Sequence, residues 1–160
     1  MKLDRPALGK MVREMNQSER QRLAEAGLNS ILDLGKQWNL ADTLQDGGSV
    51  IFPHAGLETC GHQIAAVVHA CLDSEADQVL AIGVLHALTE ELDDARVRVA
   101  AGGDPRSEDS WGIQGPGRED WRTEYSMSNF EIMLKHEALR RGAKAPALFF
   151  SLSIPCGWQT

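Results

Sequence analysis

Cysteine is scarce in this sequence. Cys60, Cys71 and Cys156 form an odd set without Cys-x-x-Cys spacing, which argues against a disulfide framework and a zinc ribbon and leaves reduced thiols as the expectation. Basic charge is also in deficit. Sixteen Lys and Arg against 23 Asp and Glu give a net charge of −7, and no basic stripe gathers to meet phosphates, so nucleic acid is not an expected partner. Long apolar runs are missing. The stretch from Ala145 to Pro155 is far short of a membrane span, and Met1 to Leu8 carries Lys2, Asp4 and Arg5 where a signal peptide would be apolar. The expectation is a cytoplasmic protein with no membrane contact. The 160 residues, 42% of them hydrophobic, suffice for one core.

The chain changes character near Gly47-Gly48. Before it, residues 1–46 read as a helical segment: Asn16 to Leu23 offers a polar helix start that Gly27 would stop, and Asn29 would cap a second helix carrying Ile31, Leu32 and Leu34. Beyond it, residues 47–160 alternate strand and helix signals. Val50 to Phe52, ended by Pro53, reads as a buried strand, Gly61 to Leu72 as a helix with a broad apolar face, and Gln78 to Gly83 as a second buried strand. Strand, helix and strand in that length predict a βαβ unit, hence an α/β fold with a mostly parallel sheet flanked by helices. Glu90 to Ala101 stays open, since Val97 and Val99 alternate with Arg96 and Arg98 as in a half-buried strand. Gly102 to Arg122, rich in Gly, Pro and Asp, reads as a loop. Ser128 begins a helix that Arg140-Arg141-Gly142 stops, and Ala147 to Ile154 reads as a third buried strand.

Ligands of open parallel sheets gather beyond the carboxyl ends of the strands. His54 follows the first expected strand and His86 the second. On neighbouring strands both imidazoles would enter one crevice, where they would suit iron, zinc or copper. On spacing alone, histidines so far apart are no motif, and each reads first as a loop histidine bonded to backbone. His62 and His69 share a helix face and read as partly exposed helix residues, with His62 a further candidate ligand beside His54. Cys60 is a reactive thiol if it sits at a helix N-terminus and otherwise a small buried residue. The acidic run Glu90, Glu91, Asp93 and Asp94 reads as solvated. Trp111 and Trp121 flank the glycine-rich loop as cleft or anchor residues.

Ile51 to Gly61, reading IFPHAGLETCG, followed by an Ala-rich helix and by VLAIGVLH at Val79 to His86, resembles the opening of the Memo family, also called AmmeMemoRadiSam system protein B. That family's fold is related to the class III extradiol dioxygenases. Ser128 to Leu134 is similar to its HS-x-E-x-x-L helix start. The resemblance implies a Memo-like α/β domain of which this chain carries the first half. It also implies a non-haem metal site with His54 and His86 as ligands and Fe(II) as the metal. Cu or Zn are alternatives, as is no metal in so short a chain. Cys60, His62, Ser128 and Glu131 would stand near the pocket. The complete form would be a dioxygenase-like oxidoreductase acting on a small aromatic ligand. The alternative is a non-catalytic member or fragment that binds a protein partner.

The departures bear on activity. Ser128 stands where the family has a histidine and cannot act as a general base near neutral pH. Leu57 replaces an aromatic, and Val84-Leu85 replaces a proline and a small polar residue before His86. The family's third ligand belongs to its second half, and Cys156 follows the last strand too early to fill that place. Catalytic metal sites generally use three protein ligands, so two histidines imply weak binding. No catalytic base is identified, and the oligomeric state is not indicated.

Overall fold

Apolar residues at helical spacing, separated by two short β-prone runs, build a mixed α/β structure. The computed structural model describes residues 5–84, 90–104, 107 and 124–153. Helix α1 (Arg5–Gly35) is followed by the short α2 (Ala41–Gln45), α3 (Leu57–Asp73), strand β1 (Gln78–Val84), α4 (Glu90–Ala100), α5 (Tyr125–Arg140) and strand β2 (Ala147–Ser153). Gly27 does not stop the first helix. The chain kinks instead at Ala24 (φ 48°, ψ −170°) and resumes as helix to Gly35. Asn29 lies inside that helix, where it accepts a 2.8 Å hydrogen bond from His136 rather than capping anything. Glu90 to Ala100, left open by its alternating valines, is helical.

The two strands form a parallel pair in register from Gln78 opposite Ala147 to Val84 opposite Ser153. The connection between them runs through α4 and α5, as a parallel pair requires. Val50 to Phe52 is not a strand. Phe52 stacks on Phe130 of α5 with ring centroids 5.2 Å apart, while Ile51 is 92% exposed. Side-chain anchoring onto a helix has replaced strand pairing there. The expected strand, helix, strand unit over residues 50–84 is therefore absent, and β1 finds its parallel partner at the far end of the chain.

The core forms where α3 packs between α1, α5 and one face of the sheet. Leu32, Ile64, Val68, Met127, Phe130 and Met133 are among its fully buried side chains, and Ala81 joins from β1. α1 and α3 cross closely because small residues meet. A Cβ on Gly35 would lie 2.4 Å from that of Ala65, and one on Gly61 would lie 2.9 Å from Ile31. Both strands read as fully buried from their apolar content, yet each has one exposed face: Leu80 is 64%, Ile82 65% and Phe149 53% exposed. Val79, Leu148 and Phe150 pack inward instead. Among the described residues no helix is long and apolar enough to cross a membrane.

Candidate functional site

The loop after Val50–Phe52 delivers His54 to the amino-terminal end of α5. Glu124 sits just before that helix, extended at φ −68° and ψ 122°, and its carboxylate accepts the first free amides, from Ser126 at 3.3 Å and Met127 at 2.7 Å. The cap is thus Glu124 and the helix begins at Tyr125, three residues earlier than Ser128. The Ser126 hydroxyl also donates to Glu124, 3.0 Å from Oε2. His54 completes the arrangement. Its Nδ1 lies 2.8 Å from Glu124 Oε1 and 3.1 Å from Ser126 Oγ.

A buried carboxylate facing one imidazole nitrogen fixes the tautomer. With the proton on Nδ1 directed at Glu124, the lone pair of the neutral ring falls on Nε2. Glu124 is almost wholly buried while the His54 side chain is 43% exposed, so the pair reaches from the core to the surface. The Tyr125 ring packs edge-on against His54, with centroids 6.1 Å apart. Burial, reinforced by the charges of Glu19 and Cys60, raises the Tyr125 phenol above its ordinary range. Gly56 admits this crowding, because a Cβ there would stand 2.4 Å from both Glu19 Oε1 and the Tyr125 hydroxyl.

A groove of about 580 Å3 opens beside this pair. Phe52, Val67, Val79 and Phe130 give it apolar walls, His54 and Ser126 line it, and so does Val84 at the carboxyl end of β1. His86 follows Val84 by two positions and lies outside the described residues, as do Trp111, Trp121 and Cys156.

The other candidates are dispersed. Cys60 is half-buried in the first turn of α3. His62 stacks on Trp38 at 5.5 Å between centroids. Ser128 accepts a 2.8 Å hydrogen bond from Arg20, and Glu131 pairs with Lys135 at 2.5 Å. His69 is buried rather than partly exposed. Its Nε2 donates to the Leu32 carbonyl at 2.7 Å and its Nδ1 accepts from Arg141, which ties α3 to α1 and α5. Beside it the buried Glu137 meets Arg140 at 2.6 Å and Arg141 at 2.8 Å. Among the described residues no three His, Cys, Asp or Glu side chains converge as a metal site.

Sequence reasoning found His54 but not its partners. Glu124 and Ser126 stand seventy and more positions away, and glutamate is not a favoured helix cap. Their one signal was the polar run before the apolar face of α5. Fold and site together define an α/β domain with a carboxylate–histidine pair at the mouth of an apolar groove. Comparison with protein-family models, with curated proteins and with solved structures finds no match for the chain.

Proposed function

We propose that this chain is a Memo-like domain in which His54 is one ligand of a non-haem metal site and His86 a second. The observation that carries the reading is the 2.8 Å contact between His54 Nδ1 and buried Glu124. Metal-ligating histidines commonly direct their second nitrogen at a carboxylate, which orients the ring and raises the basicity of the ligating nitrogen. The described residues supply one such donor, so the reading needs His86 and a further ligand from elsewhere. The apolar groove suits a small aromatic ligand, as an extradiol-type oxidoreductase would need. Fe(II) is the metal this reading favours, with Cu or Zn as alternatives.

Calorimetric titration of the purified chain with Fe(II) under anaerobic conditions, and with Cu(II) and Zn(II), tests it. Binding should be lost in His54→Ala and in His86→Ala. Equal binding by the parent and both variants, or no binding by the parent, overturns it.

A second reading, a non-catalytic domain that binds a protein partner, is favoured by the uncovered row Leu80, Ile82 and Phe149. Parallel sheets are ordinarily covered on both faces. An apolar surface on a second protein would complete that cover, and Leu80→Asp with Ile82→Asp should then abolish the complex without unfolding the chain.

A further inference from the structure

We propose that the amino-terminal half of α1, residues 5–23, is a hinged cover that undocks from α3 and α5 about Ala24 and so widens the approach to His54 and Tyr125. The inference stands apart from the metal reading, because it rests on α1 and its contacts alone.

The hinge is a conformational anomaly. Ala24 holds φ 48° and ψ −170° in the middle of a helix, in a region close to that reserved for glycine. Straightening the helix would return it to the conformation alanine favours most. On the carboxyl side of the hinge α1 is fixed by packing: Leu32 is fully buried and Gly35 lies against Ala65. On the amino side the contacts are of another kind. Leu23, next to the hinge, is the described hydrophobic side chain that packs on the core, and Met11 and Met15 are exposed.

Among the described residues, polar contacts hold Glu19, Arg20 and Arg22. Arg20 donates to Ser128 at 2.8 Å and to Asn129 at 2.8 Å, Glu19 accepts the Glu58 amide at 3.0 Å, and Arg22 pairs with Glu58. These partners are the first turns of α3 and α5, the two helix ends that flank His54. Docking also has a cost. Asn16 Oδ1 and, in this seam, Glu19 Oε2 and Asn129 Nδ2 are buried without a hydrogen-bond partner among the described residues. Undocking hydrates all three and relaxes Ala24. A cover held by polar contacts against local strain and unpaired polar atoms should open well before the core does.

Hydrogen exchange of the whole chain, read by mass spectrometry, tests this. Amides of residues 12–23 and the Glu58 amide should exchange together and faster than those of residues 64–71, since a lone helix of this length is marginal in water. Ala24→Gly suits the kink and weakens the straight helix, so it should slow that opening about 10-fold. Arg20→Ala should speed it about 10-fold while residues 64–71 keep their rate. Exchange of both segments in step with residues 64–71 would overturn the proposal, as would faster opening in Ala24→Gly.

Discussion

Glu124→Gln is the substitution that most sharply tests how the site is built. Both oxygens of this carboxylate accept backbone amides, Oε1 from Ser126 and Oε2 from Met127, and Oε1 also faces His54. Glutamine has the same shape but only one acceptor oxygen. Whichever way the amide turns, its NH2 group meets a buried N–H. One orphaned donor costs about 1–3 kcal/mol, and the remaining bonds lose the added strength of an ionised acceptor, so a total of about 2–4 kcal/mol is expected. With a urea slope of about 2 kcal/mol/M, the unfolding midpoint should fall by about 1–2 M at unchanged slope. His54→Ala supplies the control. Its half-exposed ring gives Glu124 one of several donors, so about 1 kcal/mol should be lost. A midpoint within about 0.3 M of the parent in Glu124→Gln would refute the claim that this carboxylate organises the start of α5. If His54 also binds a metal, the same variant should weaken that binding about 10- to 100-fold.

Four other expectations follow from the packing and the charges. Gly35→Ala drives a methyl to 2.4 Å from the Ala65 side chain and 2.7 Å from its backbone, and should lower stability by about 2–3 kcal/mol. Gly27→Ala meets the Leu23 side chain alone, Cδ2 at 3.2 Å and Cβ at 3.4 Å, and should gain about 0.5–1 kcal/mol, both read by thermal unfolding. Burial pushes the Cys71 thiol up to about 11. Alkylation at pH 8, mapped by peptide mass, should therefore mark Cys60 well before Cys71, and equal labelling of the two would contradict the packing of α3. Burial raises the Glu137 carboxyl, but hydrogen bonds from Arg141 and Arg140 outweigh it and leave it below the ordinary range. A carboxyl lowered on folding stabilises the fold above its unfolded value of about 4.3, and that contribution fades as pH falls through the folded value. Urea midpoints between pH 5 and pH 2 should accordingly fall more steeply for the parent than for Glu137→Gln.

The local elements were largely written in the sequence. The apolar content of Ile64 to Cys71, interrupted by His69 alone, dictates a buried helix, β-branched and aromatic runs dictate strands at residues 78–84 and 147–153, and Gly142 (φ 63°) ends α5 where the Arg-Arg-Gly signal placed its stop. His54 stood out because Pro53 and Gly56 confine it to a tight loop. Pairing was not written locally. Residues 50–52 have the composition of a strand, but they form none and Phe52 stacks on Phe130, while β1 pairs with β2. The acid beside His54 was equally out of reach, because a contact across seventy positions leaves no trace in periodicity or spacing. Propensity acts over a few residues. Which strand pairs with which, and which carboxylate meets which imidazole, depends on how whole helices pack, and the tertiary structure alone decided both.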